Sequence, residues 1–238
     1  MDSKQVKSKQ RVTDHGEVFT AEREVNAMLD LVKNETERIE SRFLEPACGD
    51  GNFLAEILRR KLAVVKKKYS GIRKRPDFEM WSVIAVMNIY GVELLPDNTA
   101  ACRDRLFDIW NEAYTVNNKK DASDQCREVV RFILDRNILC GDALTLKDEN
   151  EKPIIFSEWA LFPGGMVKRT DYTLAELMEP ETFEPDAVPI KKRKIKPAIE
   201  QMSMFDAGAD APKNTEGNRV AQFRPIHYLH LKEQQEGM

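Results

Sequence analysis

The chain has 238 residues, with 37 Lys and Arg against 40 Asp and Glu and a net charge of −3, which allows one domain with extensions. Because DNA is held through a surplus of cationic side chains, we expect the isolated chain to bind DNA poorly. The four cysteines form no CxxC pair and the N-terminus is polar, so we expect no metal centre, no disulfide, no signal peptide and no membrane span in a cytoplasmic protein.

The first predicted element is a helix that follows an aromatic residue and a threonine. Phe19 and Thr20 stand just before Glu22 and Glu24, and apolar residues then recur at helical spacing. Acids in a first turn are stabilised by the helix macrodipole, and a threonine at this position can cap the helix. The sequence therefore predicts a helix entrance with Thr20 as its cap.

The string FLEPACGDGNFL at residues 43–54 is the most informative in the chain. An apolar strand predicted at residues 42–46 runs into a turn in which Gly49 and Gly51 flank Asp50. Glycine permits a left-handed backbone and close approach of a ligand to the main chain. Apolar residues then recur at helical spacing, so the turn leads to a helix N-terminus with free amide donors. Strand, glycine turn and helix together predict a cradle for a nucleotide-type ligand.

Two further strands are predicted, and an acid stands at the end of each. Residues 89–94 form a short apolar run with Glu93 next to its last position, and Pro96 suits the first turn of the helix that follows. Residues 137–144 form the next run, which carries Asp142. The order of strands and helices predicts a doubly wound sheet, in which ligands bind at the carboxyl ends of the strands.

These three segments resemble, in order, motifs I, II and III of the S-adenosylmethionine-dependent DNA amino-methyltransferases. Residues 15–21 resemble motif X of the same family, with Ala21 where the family usually has proline. Motif X before motif I is the arrangement of the gamma-class adenine-N6 methyltransferases of restriction-modification systems. The resemblance implies a Rossmann-like class I methyltransferase domain of α/β type, S-adenosyl-L-methionine as the cofactor, and methyl transfer to adenine in double-stranded DNA.

The same resemblance implies the cofactor contacts. Glu45 is expected near the methionine end, Glu93 at the ribose hydroxyls, Leu94 against the adenine, and Asp142 at the adenine amino group. The other expected contacts surround the glycine turn or precede the first helix, and they are Phe19, Thr20, Pro46, Ala47, Gly49, Asp50, Gly51 and Phe53.

The catalytic motif that follows motif III in this family is missing from the sequence. It is a strand ending in Asp/Asn-Pro-Pro-Tyr/Phe, which orients the adenine amine and stacks on the flipped base, and neither Asn-Pro-Pro nor Asp-Pro-Pro occurs. Residues 153–169 instead predict a β-hairpin around a Pro-Gly-Gly turn, and Asp171 can cap a short helix at residues 174–178. Glu158 and Trp159 of the hairpin are not expected to replace the motif, because no proline pair follows them.

The strand count points to the same omission. A sheet of the resembled family has about seven strands, with the first flanked by the fourth, whereas this chain predicts three strands and a hairpin, an incomplete sheet. The apolar strand at residues 42–46 would then be an open edge. We therefore predict no catalytic residue in this chain, and a second methyltransferase subunit that supplies the NPPY-type motif and target recognition. Two alternatives stay open: a catalytically silent S-adenosylmethionine-binding scaffold or sensor, and a methyltransferase acting on a non-DNA acceptor.

Composition divides the chain into three parts. We predict a flexible N-terminus at residues 1–14, the folded domain at residues 15–179, and an extended or partly disordered tail at residues 180–238, where Pro, Glu, Lys and Ala dominate. Within the tail, the string from Gln201 to Phe205 resembles the peptides that dock on bacterial sliding clamps. We favour a loop anchor that packs on its own domain as the explanation of this string.

Three other segments carry weaker predictions. Residues 224–231 alternate as a strand does, and this strand could join a sheet of this chain or of the partner. Basic runs occur at residues 66–75 and 191–196. We interpret both runs as solvated charge clusters that could touch the DNA backbone in a complex.

Overall fold

The computed structural model describes residues 10–11, 13, 18–178 and 220–234. At its centre lies a parallel sheet with the strand order β1 (Phe43–Glu45), β2 (Ile89–Glu93) and β3 (Ile138–Cys140), in which β1 is an edge strand. The α/β class and the parallel pairing agree with the prediction and are compatible with a Rossmann-like fold. The outer two strands are shorter than predicted, because the chain turns at Pro46 after β1 and at Gly141 after β3.

Helices connect and cover these strands. Their bounds are α1 (Glu22–Leu31), α2 (Lys33–Thr36), α3 (Asn52–Tyr69), α4 (Arg75–Met87), α5 (Pro96–Asn118) and α6 (Asp124–Asn137). Apolar residues at helical spacing pack them onto the core, as Leu54, Leu58 and Leu62 do in α3. In α5, Trp110 is fully buried and Ile109 is half-buried. No helix in the described part of the chain has the length and apolar character needed to cross a bilayer.

The predicted hairpin forms a second, antiparallel sheet. Its elements are β4 (Ile155–Phe162), a 3-10 turn at Pro163–Gly165, β5 (Met166–Thr173), α7 (Leu174–Met178), and the short strands β6 (Ala221–Gln222) and β7 (Ile226–His227). β4, β6 and β7 all pair with β5. The hairpin and its Pro-Gly-Gly turn are therefore confirmed, and neither strand of the hairpin pairs with β1.

Asp171 does not cap α7 as the sequence predicted. It is buried in β5, where its carboxylate accepts hydrogen bonds from Arg169 (Nη2 to Oδ2, 2.5 Å) and from the Ser157 hydroxyl (2.7 Å). The cap is formed by Thr173, whose hydroxyl oxygen accepts from the Glu176 N–H at 3.4 Å, while the Thr173 N–H donates to the Glu176 carboxylate at 2.9 Å. A buried guanidinium requires a carboxylate partner, and this requirement is met by Asp171.

The described end of the chain packs against the domain. After β7, the 3-10 segment Tyr228–Glu233 lies on α6. The Tyr228 hydroxyl donates to the Glu79 carboxylate of α4 at 2.8 Å, and Leu231 is buried. The predicted strand at residues 224–231 is thus a two-residue strand and a 3-10 helix, joined to this chain. The string from Gln201 to Phe205 and the basic run at residues 191–196 lie outside the described residues.

Lys61 is a buried cation in α3, close to the start of β1. Its ammonium donates hydrogen bonds to the carbonyl oxygens of Ile39 (2.8 Å) and Ser41, and it lies 5.3 Å from the centroid of the Phe43 ring. Burial lowers the pKa of Lys61 to about 7, although the charge of Glu35 opposes this shift. The side chain therefore ties the segment that enters β1 to the middle of α3.

This pKa predicts how stability depends on pH. Between about pH 7 and about pH 10 the unfolded chain keeps a proton on Lys61 that the folded chain has released, so the free energy of unfolding should rise with pH. Urea unfolding at pH 7 and pH 9 should show this rise in the wild type and a smaller rise in Lys61→Met. Lys66→Met, at an exposed position of the same helix, should behave as the wild type. Equal pH slopes for the wild type and Lys61→Met would refute the prediction.

Candidate functional site

A cleft of about 590 Å³ opens at the carboxyl ends of the three parallel strands. Its walls are the turn after β1, the residues that follow β2 and β3, and the segment that precedes α1. In open parallel sheets this edge is the usual place for a ligand, because strand ends and helix N-termini converge there. The volume lies in the range of about 300 to 1,000 Å³ that is typical of small-molecule sites.

The glycine turn shapes one wall of the cleft. Gly49 has φ +55° and Gly51 has φ +89°, a left-handed backbone that other residues seldom adopt. Side chains would also collide here, since a Cβ at Gly51 would lie 2.7 Å from Sγ of Cys102 and one at Gly49 would lie 3.0 Å from the Phe19 ring. α3 begins directly after the turn, with Gly51 as the residue before the helix.

The segment before α1 is tied to the start of α3. The Thr20 carbonyl accepts a hydrogen bond from the Asn52 side-chain amide at 3.2 Å, and Arg105 donates to the Asn52 side-chain oxygen at 2.6 Å. α1 begins after Ala21 and no side chain caps it, so Thr20 is not the cap that the sequence predicted. The residues at positions 15–17 of the motif X resemblance lie outside the described residues.

Glu93, at the end of β2, connects the glycine turn to the start of α5 through hydrogen bonds. Its Oε2 accepts a hydrogen bond from the Gly49 N–H at 2.9 Å, and its Oε1 accepts from the Leu95 N–H (3.1 Å) and the Asn98 side chain (3.2 Å). The residue is 8% exposed. A carboxylate accepts about four hydrogen bonds, so Glu93 keeps room for about one more. It therefore anchors the glycine turn and can still accept one contact from a ligand.

Two more acids stand at the other strand ends. Asp142, after β3, accepts a hydrogen bond from the Leu144 N–H on Oδ1 at 2.8 Å, and no hydrogen bond between described residues uses Oδ2. Glu45, at the end of β1, is half-buried, and burial raises its pKa against the lowering effect of a backbone hydrogen bond from Ala47. Each acid thus reaches the cleft from a different strand.

The charge of the cleft distinguishes between classes of ligand. Among the described residues, the walls carry the carboxylates of Glu45, Glu93 and Asp142 and no Lys, Arg or His. Three carboxylates that share a partly buried site repel an anion and attract a cation. The arrangement therefore suits a positively charged ligand with hydroxyl or amino donors, and it disfavours a phosphate group.

Comparison with known proteins leaves the ligand to be inferred from these residues. Neither a protein family, nor a curated protein, nor a solved structure matches the chain. The positions and charges of the side chains in the cleft therefore carry the functional conclusion.

The structure brings most of the predicted site residues together. Ten of the twelve line the cleft, and they are Phe19, Thr20, Glu45, Pro46, Ala47, Gly49, Phe53, Glu93, Leu94 and Asp142. Asp50 and Gly51 do not line it. The Asp50 carboxylate lies 3.4 Å from Arg105 Nη1, and Gly51 faces Cys102.

Other lining residues were not predicted. They are Val18, Cys48, Asn52, Leu95, Asn98, Gly141, Ala143 and Leu144. Most are sequence neighbours of predicted residues, so a wider window around each motif would have included them. Asn98 is the exception, because it reaches the cleft only through the first turn of α5, one helical turn after Leu94.

Reactive groups are scarce in and around the cleft. The neighbouring Cys102 thiol and burial both raise the pKa of Cys48, so this thiol stays protonated and is a poor nucleophile. No cluster of the described residues could hold a metal ion.

In the hairpin, Glu158 pairs with Arg42 at 2.7 Å and Trp159 donates to the Asn137 side chain at 3.0 Å. Neither residue lines the cleft.

Proposed function

We propose that this chain binds S-adenosylmethionine and is the cofactor-binding subunit of a DNA adenine-N6 methyltransferase that a second chain completes. The charge of the cleft carries the proposal. S-adenosylmethionine has a sulfonium and an ammonium cation, whereas a dinucleotide has phosphates. Three carboxylates, with no Lys, Arg or His among the described lining residues, favour the former. The resemblance of the lining segments to motifs X, I, II and III supports the same choice.

Each acid suits a different part of this cofactor. Glu45 would pair with the ammonium of the methionine end, and the free backbone N–H groups at the start of α3 would donate hydrogen bonds to the carboxylate of that methionine end. Glu93 would use its remaining acceptor position for a ribose hydroxyl. Oδ2 of Asp142 would accept a hydrogen bond from the adenine amino group, and the half-exposed Leu94 would cover the adenine ring. The residues present therefore fit the cofactor.

Positioning is the contribution of this chain to the reaction. When bound, S-adenosylmethionine supplies an electrophilic methyl group. Glu93 holds the glycine turn against β2 through the Gly49 N–H, which keeps the backbone of the turn close to the ligand. Holding donor and acceptor in line accelerates a group transfer without acid or base catalysis by the walls of the cleft.

The unpaired edge of β1 is a further argument for a partner chain. The Phe43 N–H donates to the Asn88 carbonyl, so the backbone polar groups of Phe43 face β2. In a parallel pair, alternate residues of a strand face the neighbouring strand, and the N–H and C=O of Leu44 therefore point away from β2. Beside this edge lies a groove of about 160 Å³, whose lining includes Leu44, Tyr90 and Phe156. An unpaired backbone next to an apolar groove suits an added strand. A parallel strand placed there would end at the cleft, where an NPPY-type tip is required.

Isothermal titration with S-adenosylmethionine tests the cofactor assignment. We expect saturable binding in the micromolar range by the chain alone or with its partner, and no binding of NAD under the same conditions, because its phosphates face three carboxylates. NAD is the matched control because it shares the adenosine group. Absence of S-adenosylmethionine binding in both states would refute the proposal.

Transfer of a labelled methyl group tests the reaction. We expect label in adenine of duplex DNA only when the chain is mixed with a protein that carries an Asn/Asp-Pro-Pro-Tyr/Phe strand, as encoded by a neighbouring reading frame. Cofactor binding without methylation in any mixture would make the chain a sensor or scaffold. Labelling of a protein or small molecule by the chain alone, without nucleic acid, would identify a different acceptor.

A further inference from the structure

A second cavity, of about 660 Å³, lies at the opposite end of α3 from the cleft. α3 has 18 residues and is therefore about 27 Å long; its first turn lies at the cleft, and its C-terminal half, from Arg59 to Lys66, lines this cavity. The other boundaries are the C-terminal half of α5 and the 3-10 turn Ile72–Lys74. We call this cavity the α3–α5 groove.

The two long walls of the groove have matching helical rows. On α3 the row is Arg59, Ala63 and Lys66, and on α5 it is Ile109, Ala113 and Val116. Both rows follow the i, i+4, i+7 spacing that places side chains on one face of a helix. Leu62 and Phe78, both buried, also line the groove. Two such rows over an apolar base form the kind of groove into which a third helix packs.

The groove is open, and its rim is cationic. Ile72 is 78% exposed and Val116 is 62% exposed, so two large apolar side chains face solvent at its margin. Lys66 and Lys119 line it and make no ion pair with any described residue, whereas Glu112 is the only acid among the described lining residues. Lysines in the last turn of α3 complement the helix macrodipole, but this effect does not account for the apolar surface beside them.

We propose that the α3–α5 groove binds an acidic amphipathic helix of a partner protein. Apolar side chains at i, i+4 and i+7 of that helix fill the space between Ala63, Ile72 and Val116, and its acids pair with Lys66 and Lys119. Duplex DNA is the poorer fit, because an apolar base offers nothing to phosphates. The proposal does not depend on the cofactor assignment.

A synthetic helix tests this proposal. The probe is a fluorescein-labelled 18-residue peptide with leucine at i, i+4, i+7 and i+11 and mainly glutamate and alanine elsewhere, and fluorescence anisotropy measures its binding to the full chain. We expect saturable binding, weakened about tenfold by Ile72→Glu and by Lys66→Glu. Leu31→Glu, at an 86% exposed position of α1, and Lys152→Glu, in an exposed loop, are the matched controls and should bind as the wild type.

Two further probes separate the alternatives. A scrambled peptide of the same composition should bind at least about tenfold more weakly, and a random 20-base-pair duplex should not compete for the site. Both substituted residues in the groove are exposed, and circular dichroism of each variant confirms that it is folded. Equal binding of the scrambled peptide, unchanged binding by the groove variants, or displacement of the peptide by the duplex would overturn the proposal.

Discussion

Replacing Glu93 by glutamine is expected to weaken S-adenosylmethionine binding by about 50-fold, which corresponds to about 2.3 kcal/mol. The carboxylate accepts hydrogen bonds on both oxygens, from the Gly49 N–H on one side and from Leu95 and Asn98 on the other. Glutamine presents an NH₂ group to one of these sides, so two donors face each other. A lost hydrogen bond to a charged group costs about 1.5 to 3 kcal/mol, and the turn that shapes the cleft loosens as well.

Isothermal titration measures this loss, and thermal unfolding of the ligand-free protein separates it from a loss of fold. Glu112→Gln is the matched control, because Glu112 is an exposed glutamate of α5 outside the cleft, and it should bind the cofactor as the wild type does. Unchanged affinity in Glu93→Gln would contradict the role assigned to this carboxylate. A variant that is unfolded at the titration temperature would require the milder substitution Asn98→Ala, which removes one of the three donors.

Replacing Leu44 by proline is expected to abolish assembly with the partner subunit, and with it DNA methylation, while cofactor binding stays within about threefold of the wild type. Proline removes the outward-facing N–H of β1 and cannot donate to an added strand. At an edge position it is tolerated, because no hydrogen bond to β2 uses this N–H. Leu44 is 43% exposed, so little of the core is disturbed.

Size-exclusion chromatography of the mixed subunits measures assembly, and transfer of a labelled methyl group measures the reaction. Leu44→Val is the matched control, because it keeps the backbone N–H and a side chain suited to a strand. We expect this variant to assemble and to support methylation. A complex of normal stability with Leu44→Pro would show that the partner docks elsewhere, without bearing on whether the cleft binds S-adenosylmethionine.

The two variants address different halves of the proposed enzyme. Glu93→Gln acts on the cleft at the strand ends, whereas Leu44→Pro acts on the side of β1 that faces away from β2. If only the first affects cofactor binding and only the second affects assembly, donor site and partner site are separable features of one small sheet. Loss of both properties in both variants would instead mean that the cleft forms only in the complex.

Much of the fold was predictable because its signals are local. The alternation and length of apolar runs located all three parallel strands, and the Pro-Gly-Gly turn located the hairpin between β4 and β5. Helix caps were harder to predict. Thr20 and Asp171 are both reasonable caps by residue type. However, Ala21 and not Thr20 occupies the cap position of α1, and the Asp171 carboxylate pairs with the buried Arg169.

The sequence by itself determined where the glycine turn and the three acids stand, because a left-handed turn and a strand end are recognisable within a few residues. Only the tertiary structure decided that Glu93 is bonded to the Gly49 N–H across 44 positions, that Asn98 joins the cleft, and that α3 and α5 leave an open groove between them. These features arise where segments distant in sequence pack together. Residue pattern along one strand or helix contains no information about such contacts, and the packing of the whole domain supplies it.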